Sequence, residues 1–486
     1  MKRPALVAVD LGAESCRISL LRWRNDGPQI NLVHRFRNGP VQQGDSLRWD
    51  IGRICRGVEK GLRLCADLAD EGIDAVAVDG WAVDYVRLDR DGQALEDPFC
   101  YRDERTIAAE SAVSSLISRE RLYELTGIQL MRLNTVYQLY ADKLAEKNSA
   151  ATWLNLPEFV SHYLGGAQVA EYTNATHTQL VRLGTHEWSG ELFDALGLDL
   201  SAAPSIVPTG SLLGRLSGPL ASLPAFRNTR LLAPACHDTA SAIAGIPAQG
   251  DDWAFISSGT WSLVGTVLDK PCATPDAMRE NFTNLGGAGG QTCFLKNVNG
   301  MWLLQRCLDH WQSNGQPAWT AAELIEESGK LPAPGVLLDV DDPDLLLPGD
   351  MPARINEQLR RRDCSPLPSG PAAAPSYANL IFHSLAERYA QVLRRAASVS
   401  GKKFSRVYIM GGGSRNRVLN RLTSERAGLP VELGSAESAT IGNFAVQLAA
   451  LECGTWSSPG VPAKAIVHWA TALASAPFIA TNRTED

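Results

Sequence analysis

Hydrophobic and polar positions along the first 90 residues change from a strand pattern to a helical pattern and back. Residues 5–37 contain three β-rich runs, ALVAVDL, CRISLLRW and QINLVHRF, which predict a three-stranded meander. Apolar residues then recur at helical spacing over 50–70 and predict a helix. The apolar run at 73–89 predicts a strand, a turn and another strand. The chain therefore opens with the order β-β-β-α-β.

A similar opening recurs near the middle of the chain. Residues 251–269 form two β-rich runs around the turn Ser-Ser-Gly-Thr. Thr260 in this turn lies about half a chain length beyond Gly12, which lies in the first turn. This repetition predicts an α/β protein with two similarly built halves. We expect the two domains to cover residues 1–243 and 244–486.

The remaining patterns fill in the two halves. Residues 106–200 are mainly helical and predict an insertion, with a helix within 186–198 near its end. Proline-rich stretches predict loops at 331–335 and 365–375. Further segments predict, in chain order, a strand leading into a helix at 231–245, a helix at 377–400, a strand at 406–410, a helix at 417–428, a strand at 429–434 and a helix at 438–452.

Composition narrows the classes of partner. The chain has 486 residues, of which 45% are hydrophobic and 20% charged, as expected of a protein with large cores. Its net charge of −7 disfavours nucleic acids and anionic membranes as partners. No apolar run approaches the ~20 residues that cross a bilayer, and the opening MKRPALVAVD lacks a signal-peptide core, so we expect a cytoplasmic protein. Ten singly spread cysteines, without a C-x-x-C pair, favour reduced thiols.

The turn after the first strand is the first candidate for chemistry. Asp10 ends a buried strand, and Gly12 begins a turn of backbone N–H groups and small side chains. Such a turn can hold a phosphate while the carboxylate serves its magnesium ion. An ordinary Asp-Gly hairpin turn is the alternative. The pattern G-x-x-x-x-G-K-[ST] is absent from the sequence, which excludes the P-loop class.

The second candidate is His237-Asp238-Thr239, at the predicted junction of a strand and a helix. A carboxylate at this position can accept a proton from a substrate hydroxyl. The alternative is that Asp238 only caps the helix and Thr239 belongs to its first turn. His237 can donate a hydrogen bond to a substrate or pack as a core imidazole, and a metal role is disfavoured because no second ligand follows at i+4.

Two further turns contain small and flexible residues. Ser257-Ser-Gly-Thr-Trp-Ser262 offers hydroxyls and backbone N–H groups for a second phosphate, whereas a nucleophilic serine is disfavoured because G-x-S-x-G is not matched. Gly411-Gly-Gly-Ser-Arg-Asn416, between a strand and a helix, permits close approach of a nucleotide. It does not match G-x-G-x-x-G, because position 416 is asparagine.

Taken together, these turns give the chain a family resemblance. It resembles the FGGY carbohydrate kinases and looks most like the rhamnulokinases among them. The resemblance spans most of residues 5–450 and weakens over 331–376. The segments that carry it are AVDLGAESCR at 8–17, WAVD at 81–84, YRDERT at 101–106, EYTNATHTQL at 171–180, HDTASA at 237–242, SSGTWSL at 257–263, LKNVNGMWLLQR at 295–306 and GGGSRN at 411–416.

The resemblance implies a fold and a set of site residues. The fold would be two actin-like (ribonuclease H-like) α/β domains with an active-site cleft between them, the sugar bound mainly by the first and ATP mainly by the second. Asp238 would be the general base, and Asp10 would reach Mg²⁺ through water. The sugar would contact Ala82, His237, Asp238 and Thr239, with Asn297 touching it or lying beside it. ATP would contact Ala13, Glu14, Ser15, Cys16, Arg17, Thr260, Gln305 and Gly412.

The implied reaction is the ATP- and Mg²⁺-dependent phosphorylation of a deoxy-ketohexose, with L-rhamnulose at O1 favoured, in rhamnose catabolism. Four positions depart from the rhamnulokinase pattern: Gly80 replaces a threonine, Ala82 a glycine, Glu14 a serine and Cys16 a glycine. These departures leave a kinase of L-fuculose or L-xylulose as an alternative. A non-catalytic actin-like protein that binds ATP and sugar is a further alternative, and the sequence does not predict an oligomeric state.

Overall fold

The computed structural model describes residues 3–25, 27–147, 150–313, 319–347, 349–454 and 460–480. The chain divides into two compact units that alternate along the sequence. The first unit comprises residues 1–249, 267–294 and 438–486, and the second comprises 250–266 and 295–437. The predicted division into residues 1–243 and 244–486 stays a prediction, and its outer ends lie outside the described residues.

Strands and helices are numbered here in chain order. The strands are β1 Ala5–Leu11, β2 Ser15–Arg24, β3 Gly27–Arg37, β4 Val41–Gln43, β5 Ser46–Arg48, β6 Ile73–Gly80, β7 Tyr85–Leu88, β8 Thr152–Asn155, β9 Val169–Glu171, β10 Ser205–Val207, β11 Leu212–Arg215, β12 Arg230–Leu232, β13 Trp253–Ser258, β14 Trp261–Leu268, β15 Thr283–Gly286, β16 Thr292–Asn299, β17 Arg406–Met410, β18 Val431–Leu433 and β19 Phe478–Ala480.

The helices are α1 Ile51–Leu68, α2 Thr106–Leu116, α3 Arg119–Thr126, α4 Thr135–Leu144, α5 Leu156–Tyr163, α6 Tyr172–His177, α7 Gly190–Leu196, α8 Gly218–Ala221, α9 Asp238–Ala244, α10 Pro275–Arg279, α11 Trp302–Ser313, α12 Ala321–Gly329, α13 Met351–Arg361, α14 Ala374–Ser400, α15 Arg417–Ala427, α16 Ser438–Cys453 and α17 Ala463–Leu473. Short 3₁₀ helices cover Leu200–Ala202, Pro224–Phe226, Ala288–Gly290, Pro343–Leu346, Pro371–Ala373 and Gly412–Arg415.

The first unit contains a seven-stranded sheet in the order β11-β12-β6-β1-β2-β3-β19. The predicted meander is confirmed, since β1, β2 and β3 pair antiparallel. Strands β6 and β12 add parallel to β1 on its other side. Every residue of β1 is buried, as expected of a central strand with a helix layer on each face.

Helix α1 covers one face of this sheet. Its N-terminus is capped by Asp50, whose side chain accepts a hydrogen bond from Arg53 N at 2.7 Å. Its buried residues recur every three or four positions and join one core with β1, β2 and β6. Gly57 and Gly61 face Phe36 and Ile18 so closely that a Cβ on either glycine would lie 2.5–2.6 Å from those side chains.

Helices α16 and α17 cover the other face of the sheet, and β19 extends its edge by pairing with β3, although all three come from the end of the chain. Asn443 and Gln447 on α16 donate to the backbone carbonyls of Ala77 and Val7, at 3.3 and 3.0 Å. α16 also packs against α9 through Gly442, where a Cβ would overlap the backbone of Ser241. The end of the chain therefore supports the strands that carry the candidate site.

The predicted helical insertion is confirmed, but it also contains short strands. Helices α2, α4 and α7 share a separate hydrophobic core. Strand β8 pairs antiparallel with β7, and β9 pairs parallel with β10. The helix expected within 186–198 is α7. Strands β8, β9 and β10 escaped prediction because three or four residues are too few to show a period, whereas β7 is the second strand predicted within 73–89.

In the second unit, strands β16, β14, β13, β17 and β18 follow one another across the second sheet. The predicted β13–β14 hairpin is confirmed, and β17 and β18 add in parallel. The predicted helices are α14 and α15, which pack against each other. The loop expected at 365–375 ends earlier, because the 3₁₀ helix Pro371–Ala373 leads directly into α14.

Candidate active site

Three carboxylates of the first unit lie where parallel strands end. Asp10 in β1 and Asp79 in β6 are directly paired across the parallel register, and Asp238 begins α9 shortly after β12. The backbone joins the same ends, since Gly80 N donates to Cys236 O at 2.9 Å. Because the carboxyl ends of parallel strands meet at one edge of a sheet, these side chains form a single group. We call Asp10, Asp79 and Asp238 the carboxylate edge.

The surroundings of Asp238 shift the pKa of its carboxyl group toward neutral pH. It is the first residue of α9, while the capping position is occupied by His237, whose side chain makes no capping hydrogen bond. Its side chain is 34% exposed, so solvent and small molecules can reach a carboxyl group that protein surrounds on most sides. Burial, reinforced by the charge of Asp10, raises the pKa of Asp238 to about 7, against the opposing effect of hydrogen bonds from Thr239.

Asp10 and the turn at 13–17 are joined by an ion pair. Arg17 Nη1 lies 3.1 Å from Asp10 Oδ2, and the two residues are also paired across the β1–β2 hairpin. Gly12 is required by a close approach, because a Cβ there would lie 2.5 Å from the carbonyl oxygen of Ser15. Asn38 braces the turn by donating to Gly12 O at 2.9 Å. The turn is thus tightly wound and held from outside by Asn38.

Of the four residues at 13–16, Glu14 is exposed, whereas Cys16 is buried. Burial, together with the charge of Asp10, raises the pKa of the Cys16 thiol, so it stays protonated. Its Sγ points back to Gly12 O at 3.8 Å. The two departures in this turn therefore differ: Cys16 fills the core, and Glu14 places its charge at the surface.

His237 lies beside both Asp238 and a second histidine. Its Nε2 is 3.4 Å from Asp238 Oδ1, and its ring meets the His177 ring edge-on with centroids 4.3 Å apart. Burial lowers the pKa of His237 well below its usual value, and that of His177 to about 4. A neutral imidazole next to Asp238 can donate a hydrogen bond without adding charge. Thr239 Oγ1 contacts Asp238 Oδ1 at 3.2 Å.

The segment containing Ala82 starts at the same strand end. Trp81 N donates to Leu11 O at 3.1 Å, and Ala82 is 7% exposed. Glycine at position 80 has a structural explanation, since a Cβ there would lie 2.8 Å from both Leu11 O and Leu11 Cβ. Val83 has a φ of 70°, a strained conformation for a β-branched residue.

Hydrogen bonds hold this segment in place. Val83 O accepts from Thr135 Oγ1 at 2.7 Å. The buried carboxylate of Asp84 accepts from Trp49 Nε1 at 2.7 Å and from Trp81 Nε1 at 3.0 Å. Burial nevertheless raises the pKa of Asp84 to about 6. A framework of indoles and one carboxylate thus fixes the backbone on both sides of Ala82.

The predicted phosphate residues of the second unit lie on a tight hairpin. Gly259 N donates to Trp261 O at 2.9 Å, and Thr260 O accepts from Trp302 N at 3.2 Å. Ser262 Oγ and Tyr389 Oη share a 2.6 Å hydrogen bond that anchors the hairpin to α14. The turn therefore has a defined shape before any ligand binds.

The glycines at 411–413 approach this hairpin closely. Gly411 has a φ of 79°, and a Cβ on it would lie 2.8 Å from Ser258 O. A Cβ on Gly413 would overlap the side chain of Ser258. Gly412 is exposed, and its chain neighbours aside, no atom of the described residues lies within 4 Å of the position a Cβ would take. The arrangement leaves open space above a backbone that a ligand can approach.

Gln305 and Asn297 lie on elements attached to the same hairpin. Gln305 is exposed on α11, where its side chain donates to Asp309 at 2.8 Å. The start of that helix is hydrogen-bonded to the hairpin, because Met301 N donates to Gly259 O at 2.9 Å. Asn297 is half-buried in β16, the strand next to β14.

Asp79 and Glu171 are among the buried acids of the first unit that were not assigned a role from the sequence. Asp79 is fully buried, and within the described residues no donor meets its oxygens in good hydrogen-bond geometry, although weaker interactions with Ser241 and Asn443 oppose the rise of its pKa. Burial, with the charges of Asp10 and Asp238, raises the pKa of Asp79 well above its usual range. Glu171 is also fully buried, and burial raises its pKa to about 7. A carboxylate within an apolar strand was the available signal for Asp79, whereas Glu171 opens the segment EYTNATHTQL, which carried the family resemblance but gave Glu171 no role.

Family models match both parts of the chain. Residues 5–245 match the FGGY family of carbohydrate kinases, N-terminal domain, and residues 254–451 match the C-terminal domain of the same family. The chain belongs to the FGGY family of carbohydrate kinases. The family resemblance carried by the turns and the HDTASA segment is therefore confirmed.

Relatives within this family are similar over nearly the whole chain. A rhamnulokinase of Enterococcus faecalis is 38% identical over 457 residues, covering 93% of this chain and 90% of its own. A rhamnulokinase of Bacteroides thetaiotaomicron is 37% identical, covering 90% and 89%.

Solved structures share the fold at low sequence identity. A ligand-bound xylulose kinase of Lactobacillus acidophilus has a TM-score of 0.71 at 15% identity, covering 96% of each chain. A Plasmodium falciparum glycerol kinase with ADP has a TM-score of 0.72 at 14% identity, covering 99% of this chain and 94% of its own. The two-domain α/β fold expected from the FGGY resemblance is thereby confirmed.

The carboxylate edge offers one carboxylate, that of Asp10, that could hold Mg²⁺. In phosphoryl-transfer sites this ion keeps several waters and uses one or two carboxylates with the substrate phosphates. Asp10 supplies such a carboxylate close to Asp238, whereas the described residues contain no group of three or more acidic, histidine or cysteine side chains able to hold a metal directly.

Also within the described residues, no helix combines the length and apolarity of a membrane-spanning one.

Proposed function

We propose that this FGGY kinase transfers the γ-phosphoryl group of ATP to O1 of a deoxy-ketohexose, and that its substrate is L-rhamnulose. Asp238 is the observation that carries the chemistry: a reachable carboxyl group at a helix start, with a pKa raised by burial to about 7. A general base is most effective when its pKa lies near the working pH. The relatives named rhamnulokinase, similar over about nine-tenths of the chain, support the choice of sugar.

In the proposed reaction, Asp238 accepts the proton of the primary hydroxyl group as that oxygen bonds to the γ-phosphorus. The bond between the γ-phosphorus and the bridging oxygen breaks, and ADP leaves with the bonding electrons. Neutral His237 and Thr239 orient the sugar, and the backbone beside Ala82 forms part of its binding surface. Burial, reinforced by the negative charge of Asp10, keeps the pKa of Asp238 high enough for it to take up the proton.

The nucleotide residues are proposals of the same kind. The turn at 13–17 and Thr260 would hold phosphate oxygens through backbone amides and a hydroxyl group, and Gly412 and Gln305 would border the nucleotide. Mg²⁺, held through water by Asp10, would neutralise phosphate charge. The tightly wound Gly12 turn and the open backbone at Gly412 support these assignments.

A coupled assay of ADP release tests the proposal. L-rhamnulose, L-fuculose and L-xylulose would each be supplied with Mg²⁺ and ATP, with a reaction lacking sugar as the control. We expect sugar-dependent ADP formation with the highest kcat/KM for L-rhamnulose. A higher kcat/KM for one of the other ketoses would contradict the substrate, and ADP formation that is independent of every sugar would contradict a ketose kinase.

A further inference from the structure

Two buried side chains hold the backbone that leads into Asp238. Cys236 N donates to Glu171 Oε2 at 2.9 Å, and His237 N donates to Thr173 Oγ1 at 3.3 Å. Both peptide N–H groups immediately before Asp238 are therefore satisfied by side chains rather than by a neighbouring strand. On the other side, Cys236 O accepts from Gly80.

Both carboxylate oxygens of Glu171 accept hydrogen bonds from this part of the protein. Its Oε2 accepts from the backbone N–H of Thr173 at 3.0 Å and from the Thr173 hydroxyl group, in addition to Cys236 N. Its Oε1 accepts from Thr209 Oγ1 at 2.7 Å. Glu171 and Thr173 are both fully buried. Removing a carboxyl group from water is costly unless its oxygens are satisfied, and here four donors satisfy them.

Helix α6 extends the same support. It starts directly after Glu171 and carries Thr173 in its first turn and His177 in its last. The His177 ring meets the His237 ring, so the helix contacts the residue before Asp238 through both its backbone and its side chain. The position of α6 is fixed in turn by Glu158, which accepts from Glu171 N at 3.1 Å and from Asn174 Nδ2 at 2.9 Å.

We propose that Glu171 and Thr173 are positioning residues for the proposed general base. They fix the peptides at 236 and 237, and thereby the point from which the Asp238 carboxyl group reaches the sugar hydroxyl. A displacement of about 1 Å at a reacting group can reduce a rate roughly 10²-fold. This inference rests on the role proposed above for Asp238, and neither residue touches the substrate itself.

A matched pair of variants tests Thr173. Thr173→Val keeps the shape but removes the acceptor for His237 N, whereas Thr173→Ser keeps the hydroxyl group. With L-rhamnulose and ATP, we expect Thr173→Val to lower kcat by about 10–10²-fold with KM for ATP within about twofold. Thr173→Ser should restore kcat to within about threefold of the parent. A kcat near the parent value in Thr173→Val, or equal losses in both variants, would overturn the proposal.

Thr209→Val provides the control for a general loss of buried hydrogen bonding. It removes a hydroxyl group from the same carboxylate but leaves the bonds to Cys236 and His237 untouched. We expect its thermal unfolding midpoint to fall about as far as that of Thr173→Val while kcat stays within about threefold. A loss of kcat equal to that of Thr173→Val would show that any damage to this core slows the enzyme, and would overturn a positioning role.

Glu171 gives a second pair if Thr173→Val does not fold. Glu171→Gln keeps an acceptor oxygen for Cys236 N, while Glu171→Met has a similar shape and none. We expect a kcat within about tenfold of the parent for the glutamine variant and a roughly 10²-fold loss for the methionine variant. Equal kcat values in the two would overturn the proposal.

Asp238→Asn separates this inference from the function on which it rests. If Asp238→Asn is inactive while Thr173→Val has parental kcat, positioning fails and the base stands. If Asp238→Asn itself has parental kcat, the proposed base fails, and positioning by Glu171 and Thr173 fails with it.

Discussion

The carboxylate edge of the first unit and the glycine turn of the second, Gly411–Gly413 with the hairpin at 258–261, are built from opposite kinds of residue. The carboxylate edge consists of three acids with Arg17 and His237 beside them, and burial shifts the pKa values of Asp79, Asp238 and His237. The glycine turn and its hairpin contain only glycine, serine, threonine and tryptophan. Proton transfer needs titratable groups of adjusted pKa, whereas phosphate binding needs backbone amides and space. The comparison predicts that substitutions at the edge alter proton transfer and that substitutions at the glycine turn alter nucleotide handling.

The largest expected effect is at Asp238. Asp238→Asn keeps the shape but removes the proton acceptor, so kcat should fall by about 10²–10⁴-fold while the binding of sugar and ATP persists. Steady-state kinetics and calorimetric titration with each substrate would check this.

Stability provides the control for Asp238→Asn. The folded-state pKa of Asp238 lies above its unfolded value, so stability falls as the pH rises between about 4 and 7, where the folded state holds the proton more tightly. The asparagine side chain of the variant does not titrate, so this fall in stability is absent. The variant should therefore unfold at the same temperature as the parent, or at a higher one, at pH 8. A large drop in the unfolding temperature would mean that lost activity reflects misfolding.

Thr260→Val tests the phosphate role of the hairpin. The variant removes a hydroxyl donor from a transferring phosphoryl group, and a hydrogen bond to a charged group contributes about 1.5–3 kcal/mol, so kcat should fall by roughly 10–10²-fold. KM for the sugar should change little. Thr260→Ser, which keeps the hydroxyl group, should retain most of the kcat, and equal kcat in the valine variant and the parent would leave the hairpin a structural role only.

Gly413→Ala tests the close approach between the glycine turn and the hairpin. The added Cβ would overlap Ser258, so the turn must shift, at a cost of about 1–3 kcal/mol in the free energy of unfolding. We expect a lower unfolding midpoint and a higher KM for ATP, with KM for the sugar unchanged. Gly335→Ala is the control, because no atom lies within 4 Å of its added Cβ; matching midpoints and KM values in the two variants would refute the close approach.

The pH dependence of kcat tests the carboxylate edge without substitution. Asp238 must be deprotonated to act as a base, and its pKa is raised to about 7. The rate should therefore level off above about pH 8 and fall roughly tenfold for each pH unit well below 7. Asp238→Asn should lose this dependence. A kcat that stays constant between pH 8 and pH 5 would exclude Asp238 as the rate-controlling base.

The smallest expected effect is at Ala82. Its methyl group is the only difference from the glycine of the family pattern at this position, and one methyl group in a binding surface is worth about 1 kcal/mol, or roughly fivefold, in discrimination. Ala82→Gly should change the ranking of kcat/KM among L-rhamnulose, L-fuculose and L-xylulose with KM for ATP unchanged. Equal changes in kcat/KM for all three sugars would show that Ala82 does not determine substrate specificity.

Much of the order of elements was readable from periodicity. The meander at 5–37, helix α1 and the β13–β14 hairpin are long and strongly patterned, and all three were predicted. Asp10, Asp238 and Thr260 were predicted as site residues because each lies at a junction of strand and turn, where a polar residue interrupts an apolar run, and their roles stay predictions. Asp79 was given no role, because a single carboxylate at the end of an apolar strand says nothing about what surrounds it.

The sequence alone determined the local elements, the family and the candidate residues at strand ends, since these depend on neighbours within a few positions or on short motifs. The tertiary structure decided which distant segments share a core. It placed α16 against the sheet that contains β1 and added β19 to the edge of that sheet, although both come from the end of the chain. It also placed Glu171 and Thr173 within hydrogen-bond distance of the backbone at Cys236 and His237. Such contacts join residues tens to hundreds of positions apart, and they depend on shape and hydrogen-bond geometry that no local pattern encodes.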